Sequence, residues 1–222
     1  MPTRVVVLYH SAFKGSTARL AERVARGAAS VEDVVVDTLT VEEVDGAWDK
    51  LHAADAIIFG SPTYVGSIAA RFKQFVELCA GEIWLERLWL NKLASGFTVS
   101  AGRGGDKLNC LQDMVVFAAQ MGMIWVPMRI VGGNYASYGS EADLNRMAGY
   151  LGVMAQANID EPVELAPPES DLATAELHGH HVATVARQLA AGREVAPAPY
   201  AGGPRLGSGT RPLGLSEMSA GV

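Results

Sequence analysis

A cluster of small polar residues lies between an apolar run and a helical pattern near the amino terminus. The run at 5–9, VVVLY, is continuously β-branched or aromatic, which predicts a strand buried on both faces. From residue 18 onward apolar residues recur on one stripe and arginines on the other, which predicts an amphipathic helix. Unpaired N–H groups and the helix dipole at such a turn favour an anion. The turn therefore predicts a phosphate site formed by Ser11, Gly15, Ser16 and Thr17.

The same turn has a second, structural interpretation, in which Ser16 or Thr17 caps the helix and Gly15 eases the turn. Two familiar phosphate motifs are absent from the sequence. Lys14 precedes Gly15, so there is no GxxxxGK[ST], and no GxGxxG follows the first strand. A single terminal phosphate is therefore favoured over a nucleoside triphosphate or a dinucleotide pyrophosphate.

The composition limits the class of protein. The 222 residues are 49% hydrophobic and 19% charged, which is enough to bury one sizeable core. A net charge of −6 and a pI near 5.4, without a long basic run, argue against nucleic acid or an anionic membrane as a partner. Cys79 and Cys110 have neither metal-ligand nor CxxC spacing, which predicts buried free thiols. Without a signal-peptide pattern or an apolar span of ~18 residues, we expect a cytoplasmic protein that does not enter the membrane.

Strand-like and helix-like segments alternate along the chain, which predicts an α/β fold with a doubly wound, five-stranded parallel sheet and helices on both faces. Strands are expected at 5–9, 33–39, 55–61, 92–100 and 123–133, and the later helices at 67–80, 106–120 and 171–191. Ligands of such sheets bind outside the carboxyl ends of the strands. The loops SPTYVGS (61–67) and SAGRGGD (100–106), which follow two of these strands, are therefore further candidates for a site.

Two stretches do not fit this alternation. Between 134 and 160 an amphipathic stripe predicts a helical insertion, which either packs on its own domain or contacts another subunit. The chain from 193 to 222 is rich in Pro, Gly and Ala and has no periodicity, which predicts a flexible tail. Residues 1–192 are therefore expected to form one domain. The stripe consists of Leu144, Met147, Ala148, Leu151 and Met154.

Several segments together carry a family resemblance. The chain contains, in order, LYHSAFKGSTARLAERVARGA, DAIIFGSPTYVG, KLASGFTVSAGRGG, QMGMIWVP and ELHGHHVATVARQLAAG. In this order and spacing they resemble the flavodoxin-like family, specifically its WrbA-type branch of NAD(P)H:quinone oxidoreductases and NADPH-dependent FMN reductases. The resemblance covers residues 4 to about 135 and again 171 to 191. It implies a flavodoxin-like fold and FMN as the cofactor.

The resemblance also implies a set of cofactor-binding residues. The first loop takes the FMN phosphate, the second lines one side of the isoalloxazine ring, and the third wraps its pyrimidine edge with backbone N–H groups. Trp84 stands where the family has an aromatic residue near the flavin. The loop residues are Ser11, Lys14, Gly15, Ser16 and Thr17 in the first; Pro62, Thr63, Tyr64, Val65 and Gly66 in the second; and Ser100, Ala101, Gly102, Arg103, Gly104 and Gly105 in the third. Arg103 either stabilises negative charge at the N1/O2 edge of the reduced flavin or is a solvated loop residue.

The implied function is an oxidoreductase in which the flavin performs the electron chemistry and no catalytic side chain is needed. FMN would take hydride from NAD(P)H and pass electrons to a quinone-like or other small-molecule acceptor. Low-potential carriers usually surround FMN with acidic residues, whereas these loops contain Lys14 and Arg103, which favours an enzyme. Two other functions stay open: a flavodoxin-type electron carrier and a flavin-free scaffold. We also expect a homodimer or a homotetramer.

The sequence departs from the family pattern in three places. The first loop is one residue longer around Lys14, and GGNYASYGS (132–140) replaces the family's Gly-Gly-x-Pro-Tyr-Gly region. Gln120-Met121 stands where the quinone reductases have a His-His pair, which weakens the quinone-reductase assignment more than the FMN assignment. The histidines at 178, 180 and 181 lack a cysteine or spaced carboxylate to complete a ligand set, so no metal site is expected.

Overall fold

The computed structural model of the protein describes residues 1–12 and 15–196. Its centre is a sheet with parallel strands in the order β2-β1-β3-β5-β6; β7 also pairs with β5, and the short β4 pairs antiparallel with β3. The strands are β1 (Thr3–Tyr9), β2 (Val34–Thr40), β3 (Ala56–Tyr64), β4 (Ser67–Ile68), β5 (Leu93–Ser100), β6 (Ile124–Trp125) and β7 (Val153–Gln156). The helices are α1 (Ser16–Ala29), α2 (Trp48–Ala53), α3 (Ala70–Leu78), α4 (Glu82–Leu85), α5 (Lys107–Gln120) and α6 (Glu169–Val195), and a 3₁₀ helix (Val41–Gly46) precedes α2.

The side chains of β1 alternate between the two faces of the sheet. Val5 and Val7 belong to the apolar cluster that α1 and α6 complete, whereas Val6 and Leu8 belong to the cluster formed with α2, α3 and α5. All four are at most 1% exposed. Burial on both faces explains why this parallel strand is apolar at every central position. The predicted doubly wound α/β sheet with helices on both faces is confirmed.

The fifth position of the sheet is shared by two short strands and is not filled by the predicted strand at 123–133. Ile124 and Trp125 of β6 pair with the start of β5, and β7 pairs with Phe97–Ser100 at its end. Pro127 has no N–H to donate, which disfavours continued pairing beyond β6. The sheet consequently has seven strands where five were expected.

The connection between β6 and β7 leaves the sheet and does not form the predicted helix. Asn145 and Ala148 have left-handed φ values of 48° and 51°, which are incompatible with a right-handed helix. The buried Asn145 amide bonds to the backbone instead: it donates to the carbonyls of Ile130 and Gly149 at 2.9 and 3.1 Å and accepts from the Gly149 N–H at 3.0 Å. The prediction of a helical insertion at 134–160 is therefore wrong, because side-chain hydrogen bonds replace the helical ones.

Part of the predicted stripe belongs to the core of its own subunit. Leu151 and Met154 pack against the apolar cluster that includes Phe117 of α5, and Met154 lies in β7. These two partly buried side chains thus contribute to the core of their own chain.

The last helix is longer than predicted. α6 continues to Val195, so residues 193–195 of the predicted flexible tail are helical. The remainder of that tail, from residue 197 onward, lies outside the described residues. None of the helices within 1–12 and 15–196 has the length and apolar character needed to cross a bilayer.

Helices α1 and α6 approach each other through glycines. A Cβ atom at Gly27 would lie 1.8 Å from the Glu176 carbonyl oxygen, and one at Gly179 would lie 2.0 Å from the Val24 carbonyl oxygen. Both distances are far below van der Waals contact, so the backbones can be this close only without side chains at these positions. Glycine at this crossing therefore sets how closely α6 packs on α1.

We predict opposite effects for two glycine substitutions in α6. Gly179→Ala should lower the free energy of unfolding by ~1–3 kcal/mol, because its methyl group overlaps α1. Gly192→Ala should raise it by up to about 1 kcal/mol, because a Cβ atom there meets nothing within 4 Å and alanine is the better helix former. Urea denaturation of both variants checks this, and equal effects at the two positions would contradict the close crossing.

His178 is a buried histidine that links α6 to the sheet. Its Nε2 lies 2.7 Å from Ser95 Oγ, which in turn donates to the Val126 carbonyl at 2.8 Å, so Nε2 carries the proton. Its Nδ1 has no hydrogen-bond partner among the described residues. Burial, with a smaller contribution from His181, lowers the pKa of His178 from 6.5 to about 3. The folded protein therefore holds this imidazole neutral.

The depressed pKa of His178 predicts a loss of stability in acid. The unfolded chain takes up a proton below pH 6.5, whereas the folded protein excludes it until about pH 3. Between these values the free energy of unfolding should fall as pH falls, by up to about 1.4 kcal/mol per pH unit from this residue. Denaturation at several pH values should show a shallower slope for His178→Gln than for the wild type. Identical slopes would show that His178 protonates freely in the fold.

Candidate functional site

A cavity of about 300 Å³ opens at the carboxyl edge of the sheet. It lies between the amino end of α1, the ends of β3 and β5, and the segment that follows β7. The predicted site residues that line it are Gly15, Ser16, Thr17, Pro62, Tyr64, Ser100 and Ala101. Ala12, Val99, Ala157 and Ile159 also line it and were not predicted. Residues from all three predicted loops therefore meet at one cavity.

The amino end of α1 is organised around Gly15. Gly15 occupies the cap position with a φ of 77°, so Ser16 and Thr17 are the first helical residues and neither is the cap. Gly15 donates its N–H to the Ala12 carbonyl at 3.0 Å, and Ser11 Oγ accepts from the Ala18 N–H at 3.2 Å. Ser16 and Thr17 both line the cavity. Their backbone N–H groups stand in the first turn of the helix, where N–H groups have no intrahelical acceptor.

The segment that follows β7 covers this helix end. The Arg19 guanidinium contacts the Val163 carbonyl, and Ser16 Oγ lies 3.5 Å from the Ala166 carbonyl. Ala157 and Ile159 of the same segment form a wall of the cavity. Sequence patterns missed this wall because residues 157–160 were assigned to the helical insertion.

The loop after β3 is a tight hairpin. Val65 and Gly66 both have positive φ, 48° and 84°, as a two-residue turn of type I′ requires, and they join β3 to β4. Asn109 Nδ2 donates to the Gly66 carbonyl at 2.7 Å, which ties the turn to α5. The Thr63 hydroxyl is buried against Thr98 Oγ1 at 2.7 Å, so it supports the fold beneath the cavity. Asp113 of α5 bonds to Ser67 and fixes the second strand of the hairpin.

The loop after β5 folds around a buried lysine that was not predicted. Lys107 Nζ donates to Ser100 Oγ at 2.9 Å and to the Gly102 carbonyl at 2.6 Å, and the residue is fully buried. Burial lowers the pKa of Lys107 to about 8, against an opposing effect of Asp171. Gly105 has a φ of 55°, and a Cβ atom there would lie 2.3 Å from Ser100 Oγ. The loop is thus packed around its own polar groups.

Arg103 projects from this loop into a chain of ion pairs. It is paired with Glu141, which also contacts Arg146. Arg146 is buried and forms two hydrogen bonds of 2.8 Å with Asp171 at the start of α6. Gln156 of β7 donates its N–H to the same Asp171 carboxylate at 2.9 Å. The network joins the third loop to the connection between β6 and β7 and to α6.

The remaining predicted residues differ in their placement. Val65, Gly66 and Gly102–Gly105 belong to the bordering loops but do not line the cavity. Lys14 lies outside the described residues. Trp84 lies in α4, in the connection that leads from the end of α3 back to the start of β5, and it does not line the cavity.

The cavity has the features that an FMN molecule requires. A helix amino terminus with hydroxyl residues provides donors for a phosphate. Pro62, Tyr64, Val99 and Ala157 supply largely apolar walls for a flat ring. The residues present therefore fit the cofactor that the resemblance implies.

Comparison with known proteins gives consistent relationships. Residues 3–136 match the family model described as NADPH-dependent FMN reductase. Flavodoxin FldP of Pseudomonas aeruginosa is 37% identical over 188 residues, which cover 84% of this chain and 98% of that protein. An NAD(P)H dehydrogenase (quinone) of Geotalea uraniireducens is 30% identical over 209 residues, with 84% and 99% covered.

Solved structures show the same architecture. The crystal structure of the flavodoxin, WrbA-like protein from Agrobacterium tumefaciens superimposes with a TM-score of 0.64 at 37% identity, covering 84% of this chain and 98% of that one. A flavodoxin from the domain Archaea, 19% identical over 83% of this chain and 99% of that one, shares the fold with a TM-score of 0.56.

The packing of the third loop predicts different outcomes for its neighbouring glycines. Gly105→Ala should lower the free energy of unfolding by ~1–3 kcal/mol, because the methyl group meets Ser100 Oγ and the backbone has a left-handed φ. Gly104→Ala is the matched control, since a Cβ atom there meets nothing within 4 Å, and its effect should stay within about 0.5 kcal/mol. Thermal and urea unfolding measure both, and a harmless Gly105→Ala would argue against this loop conformation.

Proposed function

The chain belongs to the NADPH-dependent FMN reductase family, and from this premise we propose that the cavity at the carboxyl edge of its sheet is the FMN site. Membership makes the protein an FMN-dependent oxidoreductase with NAD(P)H as the electron donor. The predictions of family, cofactor and enzyme class are thereby confirmed. The observation that supports the site is the meeting of the three loops at the amino end of α1.

The phosphate of FMN is assigned to the first turn of α1. The amides and hydroxyls of Ser16 and Thr17 would donate to it, and the helix dipole would favour its charge. Ser11 holds the turn through the Ala18 N–H, and Arg19 holds the covering segment at Val163. Lys14 is retained in the proposal because it belongs to the same loop.

The isoalloxazine ring is assigned to the space between the second and third loops. Pro62 and Tyr64 would lie on one side, and the backbone N–H groups of Ser100 and Ala101, which line the cavity, would face its pyrimidine edge, with Gly102–Gly105 bordering it. Bound FMN would accept hydride from the nicotinamide and deliver electrons to a quinone-like or other small acceptor. The protein's part is to hold the ring, keep its surroundings apolar and leave one side open to a second molecule.

A second candidate is an electron carrier without a substrate of its own. The relative named Flavodoxin FldP favours it, and so does the charge at the third loop, where Glu141 pairs with Arg103. Residues 160, 161 and 164 are acidic as well and follow Ile159 of the cavity wall. The charge argument for an enzyme, which relied on Lys14 and Arg103, is weakened by these carboxylates.

We also propose that the protein is a homodimer or homotetramer in the cytoplasm. Tyr135 and Tyr138 are 75% and 88% exposed on the connection between β6 and β7, which suits a contact between copies. Trp84 lies away from the cavity of its own chain, so the aromatic role that the resemblance implies would need a neighbouring copy. Buried free thiols at Cys79 and Cys110 agree with a reducing compartment. Sedimentation measures the subunit number.

The phosphate assignment predicts a ligand-dependent effect of mutation. Replacing Ser16 and Thr17 together with alanine should weaken FMN about 10- to 100-fold, because hydrogen bonds to a charged group are lost. Riboflavin, which lacks the phosphate, should bind the variant almost as it binds the wild type. Ser30→Ala, at the other end of α1, is the control. Calorimetric titration decides, and an equal loss for both ligands would remove the phosphate from this turn.

The choice between enzyme and carrier is tested with the purified flavin-loaded protein. Steady oxidation of NADPH or NADH that depends on an added quinone is expected for the enzyme. Slow oxidation with every small acceptor, together with rapid electron exchange with a redox protein, would identify a carrier. A protein that purifies without flavin and does not bind FMN would contradict the cofactor assignment.

A further inference from the structure

Lys107 has no role in flavin binding as assigned so far. We propose that it is a positioning residue that shapes the loop after β5 and supplies the buried positive charge that favours reduced over oxidised FMN. The proposal rests on the proposed FMN site, with the pyrimidine edge of the ring against this loop.

The contacts of Lys107 place its ammonium group inside the loop. It reaches back from the first residue of α5 to Ser100 Oγ at 2.9 Å and the Gly102 carbonyl at 2.6 Å. Ser100 Oγ also donates to the Gly102 carbonyl at 3.1 Å. The ammonium, the hydroxyl and the carbonyl are thus each bonded to the other two. Ser100 itself lines the cavity. The ammonium is therefore one hydrogen bond from the cavity wall.

The nearby cations differ in how well carboxylates compensate them. Arg146 bonds to Asp171 twice and contacts Glu141, and Arg103 is paired with Glu141 with 60% of its side chain exposed. Lys107 bonds to a hydroxyl and a carbonyl, and no salt bridge within the described chain includes it. Its charge is buried and only distantly offset by Asp171. A buried charge acts more strongly on its surroundings than a solvated one.

Reduction of the flavin places negative charge near N1 and O2, the edge that this loop faces in the proposed site. A buried ammonium behind the loop stabilises that state more than the uncharged oxidised ring. The same burial keeps the pKa of Lys107 near 8, so the side chain is charged at neutral pH and loses its charge in mild alkali. Asp171 of α6 and Arg146 of the connection between β6 and β7 are the charged groups that act on it.

The experiment compares wild type, Lys107→Met and Arg103→Gln by spectroelectrochemical titration of the FMN-loaded protein from pH 7 to 10. At pH 7 Lys107→Met should lower the ratio of oxidised to reduced FMN dissociation constants about tenfold, which is about 30 mV for a two-electron couple. Arg103→Gln should change the ratio less than twofold. The difference between wild type and Lys107→Met should shrink towards pH 10, where the lysine is neutral.

A second readout uses the apoprotein. Without flavin, amide hydrogen exchange in residues 101–105 should be faster in Lys107→Met than in the wild type and much less affected in Arg103→Gln, because Lys107 bonds to the loop from its interior whereas the Arg103–Glu141 pair is exposed. If Lys107→Met does not fold, the wild-type potential decides: between pH 8 and 10 it should fall more steeply than that of free FMN, by up to about 30 mV per pH unit.

Three results would overturn the inference. Equal potentials for wild type and Lys107→Met at pH 7, with FMN bound to both, would remove the charge effect. A difference that stays constant to pH 10 would leave Lys107 a purely structural residue. A larger shift for Arg103→Gln would transfer the role to Arg103. Failure of the wild type to bind FMN would instead overturn the site proposed above, and this inference with it.

Discussion

The in-register parallel pairing of β1, β3 and β5 is the constraint on which the site depends. Tyr9 at the end of β1 pairs with Gly60, and Gly60 pairs with Phe97. Three chain segments therefore leave the sheet at the same edge, and each leads to a helix, the one after β3 by way of the hairpin with β4. Burial of β1 on both faces holds this register, because a shift would disrupt the close packing of its side chains in both cores. The three loops meet at one cavity because the strands that precede them end at the same edge, although the loops are far apart in the sequence.

One helix, α5, governs the shape of two of the three loops. Lys107 organises the loop after β5, and Asn109 and Asp113 hold the hairpin after β3. These three side chains lie in the first two turns of one rigid element, so the distance between the two walls of the cavity is set by a helix. A site with such support keeps its geometry without the ligand. Binding then loses less conformational entropy, because the loops are already ordered.

The relatives divide between a flavodoxin and quinone dehydrogenases, and the structure shows why the family motifs alone do not separate them. The His-His position of the quinone reductases corresponds to Gln120-Met121, at the far end of α5 from the cavity. Met121 is buried in the core there, so the substitution changes no wall of this cavity. The Gln120-Met121 position is therefore no guide to whether this cavity serves a carrier or an enzyme.

The sequence by itself determined the features that depend on near neighbours. The apolar run of β1, the stripe of α1 and the glycine-rich loops follow from local periodicity and backbone freedom, and together with the family resemblance they predicted the sheet and most of the cavity. The tertiary structure alone decided what depends on distant contacts. Side-chain hydrogen bonds of Asn145 replace a predicted helix. Ile159, in the segment that follows β7, lines the cavity. Lys107 is buried by the fold, and burial lowers its pKa. Local patterns report which face of an element is apolar, whereas the pKa of one buried charge depends on distant residues, as the electrostatic effects of Arg146 and Asp171, 39 and 64 positions after Lys107, show.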